Sequence, residues 1–230
     1  MKNKILFCIK TTRKYQDRID SILGSWLTGI DDYIFYSDHE DKEKNVILSS
    51  TDSSYLGCLY KTIWTLNNLK NIYITEDKNV LEHYDWICVV DDDTFVNTKK
   101  LDEYVENIDD SSVYGHLFTK TKNPENPIWN NGDIKGFVLD KDYTYHSGGA
   151  GVLFPTKILT NIEFEDCGTV WDDVTVGVIL TKNNIPLVDS ELFSPETPEF
   201  YGKDDTDIRN MITYHHISSE RMQKLYDYLK

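Results

Sequence analysis

Residues 86–97 read Trp86-Ile87-Cys88-Val89-Val90-Asp91-Asp92-Asp93-Thr94-Phe95-Val96-Asn97, and their reading decides the fold. An apolar run without alternation fits a strand buried on both faces, as in a parallel sheet covered by helices. The run ends in three aspartates, and in open α/β sheets ligands bind beyond the carboxyl ends of the strands. Carboxylates at the first and third positions of a tight turn can share a hard divalent cation that also holds a diphosphate. A solvated acidic turn is the plainer alternative. The immediate return to Thr94-Phe95-Val96 argues against it, because it pins the turn to the core.

Working outward, residues 4–10 read as a first strand. Residues 15–27 set Ile19, Ile22, Leu23, Trp26 and Leu27 at spacings of three and four, predicting an amphipathic helix closed by Gly29. A strand at 33–36 and a long helix over 55–69 follow. Beyond the aspartates, residues 119–134 carry Pro124, Pro127 and Asn130-Asn131-Gly132 and predict a loop or hairpin region. Then come a strand at 152–154, a helix over 171–180, an irregular polar stretch over 191–210, and a last helix over 218–229 capped by Ser218 or Ser219. Strand-length runs alternating with helical periods predict an α/β domain with a mostly parallel central sheet flanked by helices. The length of 230 residues suits a single domain, 1–230.

Charge narrows the partners. With 24 Lys and Arg against 39 Asp and Glu, the formal charge is −15, so no broad basic surface is available for nucleic acid or an anionic bilayer. An acidic protein that handles an anionic nucleotide must supply positive charge locally, from a metal ion or a few basic side chains. No apolar stretch approaches the ~18 residues of a membrane span, and the run Ile5-Leu6-Phe7-Cys8-Ile9 is too short for a signal segment. Cys8, Cys58, Cys88 and Cys167 are widely spaced, without zinc-site spacing, and read as reduced thiols. A cytoplasmic location is the expectation.

Three further clusters carry chemistry. Gly148-Gly149-Ala150-Gly151 lets backbone approach a ligand closely, or makes a tight turn into a strand; its spacing, and the strand that follows, exclude a dinucleotide fingerprint. Asp172 and Asp173 open a helix, where the dipole favours negative charge. Asp172 also reads as the helix cap, which leaves Asp173 the better candidate for a general base. His215-His216, taken alone, reads as two ordinary core or surface histidines.

Together and in this order, these residues resemble the Fringe-like β-1,3-glycosyltransferases. The similarity runs through Ile9-Lys10-Thr11-Thr12-Arg13-Lys14-Tyr15, Arg18-Ile19-Asp20, Ser25-Trp26-Leu27, Ile34-Phe35-Tyr36-Ser37-Asp38 and residues 90–97. It continues through Ser147-Gly148-Gly149-Ala150-Gly151, residues 172–177 and Tyr214-His215-His216. The chain departs from the Golgi members in lacking a hydrophobic anchor and paired luminal cysteines, and in a shorter, more polar stretch between Asp189 and Met211. The resemblance implies a GT-A type, Rossmann-like nucleotide-binding fold. It also implies a UDP-sugar donor, Mn²⁺ or another divalent cation, and inversion to a β-linked product, β-1,3 in this family. On that template Asp93 and His215 are metal ligands, with Asp91 and Asp92 supporting the metal and the donor. Thr11, Thr12, Arg13, Asp38 and Lys61 lie on the nucleotide side, and Gly148 and Gly149 pack beside the transferred sugar.

The resulting expectation is an inverting glycosyltransferase that moves a hexose or N-acetylhexosamine onto a hydroxyl of a glycan or glycoprotein. Loss of the sugar leaves growing negative charge on UDP, which a divalent ion offsets. An imidazole ligand shifts the preference from Mg²⁺ towards Mn²⁺. Two alternatives compete. An aspartate-dependent phosphatase usually has Thr or Val two residues after its second acid, where Phe95 stands here. A non-catalytic sugar-binding protein on the same fold has no need of Asp173.

Overall fold

The computed structural model describes residues 3–54, 56–73, 78–120 and 143–230. Strand β1 (Ile5–Lys10) leads through a 3-10 turn (Arg13–Tyr15) into α1 (Gln16–Leu23), β2 (Tyr33–Ser37), β3 (Val46–Leu48) and α2 (Leu56–Asn68). Then follow α3 (Val80–His83), β4 (Trp86–Asp91), β5 (Phe95–Val96), α4 (Thr98–Val105), β6 (Val113–Gly115) and β7 (Leu117–Lys120). The remainder comprises β8 (Tyr143–His146), β9 (Val152–Pro155), α5 (Thr156–Leu159), α6 (Asp172–Lys182), β10 (Leu187–Asp189), β11 (Phe193–Ser194), β12 (Thr213–Tyr214) and α7 (Ser219–Leu229).

Seven strands form the central sheet in the order β10-β6-β9-β4-β1-β2-β3, with β9 alone running against its neighbours. Both faces are covered, and period-two alternation within β1 shows it. Phe7 and Ile9 join one core with Trp26, Phe35, Val90 and Tyr214, while Leu6 and Cys8 join another with Ile34, Tyr36 and Ile87. The register Ile9↔Val90 and Lys10↔Asp91 ends β1 and β4 together, so their polar termini share one edge. A small sheet, β11-β12-β5, folds over that edge: antiparallel pairing of Tyr214 with Phe95 carries the histidines to the aspartate turn.

Several boundaries differ from the sequence expectation. Helix α1 stops at Leu23, not Leu27, because Gly24 supplies a weak helix former and Ser25 Oγ bonds back to the Ser21 carbonyl at 2.6 Å. Trp26 and Leu27 are buried all the same, carried inward by the turn that follows. Thr119 and Lys120 end β7, which pairs with β8; the rest of the expected loop, to 134, lies outside the described residues. The polar stretch 191–210 holds β11 and 3-10 turns at Pro198–Tyr201 and Asp205–Arg209, the latter seated on buried Ile208. Ser218 stands at the N-cap of α7 without a side-chain cap bond, and Ser219 Oγ donates instead to Asp17 at 2.9 Å. Among the described residues no helix is long and apolar enough to cross a membrane, and all four cysteines are free.

Candidate active site

The aspartate turn gives each acid a different partner. Asp91 ends β4, accepts the Thr94 amide on its carbonyl at 3.1 Å, and places its carboxylate 3.0 Å from Lys10 Nζ. Asp92 is buried and accepts from Thr11 Oγ1 at 2.7 Å and Arg18 Nη1 at 2.5 Å. Burial pushes its carboxyl up to about 6 against those two donors. Asp93 stands 3.0 Å from His215 Nε2, 3.2 Å from Arg18 Nη1 and 4.0 Å from His216 Nδ1. Burial pulls its carboxyl upward, but His215, Arg18 and His216 outweigh it and hold it below the usual carboxylate range.

Asp93, His215 and His216 each offer one ligand atom within 4.8 Å of the others. A carboxylate with two imidazoles suits Mn²⁺ or a similar transition metal better than a cation that demands only oxygen. Two features hold this set in place. The imidazoles of His215 and His216 stack at 3.7 Å, with His216 in the left-handed region at φ 59°, which few non-glycine residues adopt. On the other side, a Cβ on Gly149 would collide with the His215 ring, so the glycine run is a cradle that fits the imidazole. Thr94 Oγ1 fixes the same loop by donating to the Gly149 carbonyl at 2.6 Å.

The second acid pair opens α6. Trp171, not Asp172, takes the N-cap position. Asp172 instead accepts from Lys10 Nζ at 2.5 Å and from Thr62 Oγ1 at 2.8 Å, and Lys10 draws its carboxyl below the usual range despite burial. Among the described residues no cation pairs directly with Asp173. Burial and the neighbouring Asp172 charge push its carboxyl up to about 7, against hydrogen bonds from the Val174 and Gly148 amides. A Cβ on Gly148 would lie 3.4 Å from the Asp173 Cβ, so the glycine loop touches the metal-ligand candidates on one side and this acid on the other.

The third group lies at the end of β1. Asp38 accepts from the Arg13 amide at 2.7 Å, Thr12 Oγ1 at 3.2 Å and Ser37 Oγ at 3.1 Å. Burial alone raises its carboxyl, yet the Arg13 amide, Lys61 and Ser37 bring it below the usual range. Lys61 is buried and donates to the Thr11 carbonyl at 3.1 Å. Thr11, Thr12, Arg13, Asp38 and Lys61 therefore share one corner, with Asp38 as the knot that shapes the turn.

Three residues were quoted in the sequence reading but given no role there. His216 joins Asp93 and His215, while Asp91, expected to support the metal, also pairs with Lys10 at 3.0 Å. Arg18 spans Asp92 and Asp93, and its guanidinium also stacks on Tyr15 at 4.1 Å. Lys10 bridges Asp91 of the turn and Asp172 of α6. A cation closing an apolar strand, level with the strand that ends in acids, was the one available signal for it.

A Fringe-like family model matches residues 1–227, and the chain belongs to that family. With the sheet order above, this makes the fold GT-A in type. The chain is 25% identical over 223 residues to a human β-1,3-glucosyltransferase, covering 93% of this chain and 40% of that protein. It is 22% identical over 237 residues to the Xenopus laevis β-1,3-N-acetylglucosaminyltransferase lunatic fringe, covering 92% and 58%. The chain thus spans between two fifths and three fifths of these relatives' length. Among solved structures it is similar to a glycosyltransferase involved in glycosylation of the major capsid of PBCV-1, at TM-score 0.49 and 11% identity, covering 95% and 98%. It is also similar to the galactosyltransferase LgtC, at TM-score 0.46 and 12% identity, covering 96% and 95%.

Proposed function

We propose that this chain, as a single domain, is an inverting, metal-dependent glycosyltransferase. It moves a hexose or N-acetylhexosamine from a UDP-sugar to a hydroxyl of a glycan or glycoprotein, forming a β-1,3 linkage. One observation carries the reading: the Gly148-Gly149 loop has Asp173, its carboxyl poised at about 7, on one side and the Asp93–His215 pair on the other.

Asp173 accepts the proton of the acceptor hydroxyl as that oxygen attacks the anomeric carbon and the bond to the diphosphate breaks, with no enzyme nucleophile required. Asp93, His215 and His216 would hold Mn²⁺, which when bound supplies positive charge to the departing diphosphate. Arg18 keeps Asp93 aligned and Asp92 charge-compensated. Thr11, Thr12 and Arg13, shaped by Asp38 and Lys61, receive the nucleotide. Gly148 and Gly149 let the sugar lie against backbone.

The test is a panel of UDP-sugars with Mn²⁺, scored by thermal shift and by UDP release with glycan acceptors. A bound donor stabilises by RT ln(1 + [L]/Kd), so a true donor raises Tm with concentration. Stabilisation by a donor without acceptor-dependent UDP release would make the chain a sugar-binding protein. No stabilisation by any UDP-sugar would end the reading.

A further inference from the structure

Lys10 belongs to β1, yet its charge sits under the helix that carries the proposed base. Its Nζ lies 2.5 Å from Asp172 Oδ2 and 3.0 Å from Asp91 Oδ1, and the three side chains are only 11%, 17% and 27% exposed. Thr62 Oγ1 completes the cluster from α2. Ion pairs this far out of water gain little net stability, because desolvation offsets most of the attraction. What this one does achieve is geometric: β1, β4 and the first turn of α6 converge on one ammonium, and α2 joins them through Thr62 on Asp172.

We propose that Lys10 and Asp172 are a positioning pair for Asp173, tying the start of α6 to the ends of β1 and β4 and fixing the charge that the neighbouring carboxyl faces. The proposal deepens the reading of Asp173 as the base and rests on it. Lys10, Asp91, Gly148, Asp172 and Asp173 line one small cavity, with His146 of β8 on the same wall. Burial pushes His146 down to about 4, so it is neutral near pH 7. Among the described residues Tyr145 of β8, Tyr36 of β2 and Cys58 of α2 also turn towards these charges; all are raised by burial and are neutral too. Among the described residues the charges acting on Asp173 are therefore Asp172, which disfavours its ionisation, and Lys10, which favours it, with Asp91 sharing Lys10.

That arrangement makes a signed prediction. Removing the Asp172 charge leaves Lys10 free to favour the Asp173 carboxylate; removing the Lys10 charge leaves two uncompensated carboxylates beside it. The experiment follows the Asp173 carboxyl by NMR in protein carrying ¹³C-labelled aspartate, the signal being assigned by its loss in Asp173→Asn. Asp172→Asn is expected to lower the midpoint from about 7 by roughly 1 pH unit or more, and Lys10→Met to raise it, with Lys10→Arg close to the parent. Mn²⁺-dependent UDP binding by calorimetry checks that the donor side is intact. If Lys10→Met does not fold, Asp172→Asn and Lys10→Arg still decide. An unmoved midpoint in Asp172→Asn, or movement in the same direction in both charge-removing variants, as mere loosening would produce, overturns the proposal. The titration needs no turnover. Opposite shifts alongside full transfer in Asp173→Asn would keep the positioning pair and remove the base assignment instead.

Discussion

Two pairs of adjacent aspartates face each other across the glycine loop, and each is split by its surroundings into a high and a low member. In the turn, buried Asp92 is the high one at about 6, and Asp93, beside two imidazoles and Arg18, is the low one. On α6, Asp172 against Lys10 is the low member and Asp173 at about 7 the high one. One cation serves each pair, but their aims differ. Arg18 reaches both Asp92 and Asp93, which leaves the low member facing His215 and His216 as a candidate metal ligand. Of the α6 pair Lys10 bonds only Asp172, while also reaching Asp91, and the high member is left against the loop where an acceptor hydroxyl would arrive. Environments that push neighbouring carboxyls apart separate proton transfer from charge stabilisation in this way.

The comparison breaks first at Asp173. Asp173→Asn is expected to bind UDP-sugar and Mn²⁺ normally and to lose ~10²–10⁴-fold in kcat and kcat/KM, measured as steady-state UDP release with acceptor. An equal loss in donor affinity would place Asp173 on the donor instead. On the other side of the loop, Gly149→Ala forces the His215 imidazole to move. Mn²⁺ affinity by calorimetry should fall ~10–100-fold, the range for disturbing a group that orients a ligand. Gly148→Ala, which meets Asp173 at ordinary contact distance, should leave Mn²⁺ affinity near the parent value.

A third effect appears in stability. The Asp173 midpoint is about 7 in the folded chain and ~3.9 when unfolded, so between those values the native state holds a proton that the unfolded state has lost. That contribution is complete below the unfolded value and disappears as pH rises through 7. Asp173→Asn lacks it, so its Tm relative to the parent should be higher at pH 8 than at pH 5. A constant difference across that range would show that the carboxyl is not raised. The smallest expected effects concern the two hydroxyl donors, Thr11 to Asp92 and Thr62 to Asp172. Thr11→Val and Thr62→Val should each cost about 1 kcal/mol in urea denaturation, because a neutral donor is lost while the cation remains. A much larger cost at Thr62 would mean that the hydroxyl, not Lys10, steadies Asp172.

Residues 86–90 declared themselves as a strand buried on both faces by unbroken apolar content, residues 4–10 read as a first strand, and the three aspartates had to follow at a carboxyl edge. The acids at 172 and 173 were likewise readable as a helix start. Their roles were not all readable: Asp172 looked like a replaceable cap, but its partner Lys10 is 162 residues away. The end of α1 was misplaced for a local reason, since the apolar spacing continues past Gly24 while the helix does not.

Local pattern and composition thus determined by themselves the α/β class, the strand-end edge and the acids available there, because strand burial and turn chemistry act over a few residues; His215 was placed beside them only by the family resemblance. Only the tertiary structure decided which cation meets which acid, that His216 joins Asp93 and His215, and that Asp91 turns to Lys10. Those outcomes depend on the register of β1 with β4 and on β12 pairing with β5. Electrostatic partners are set within a few ångströms in space, and no spacing along the chain encodes that distance.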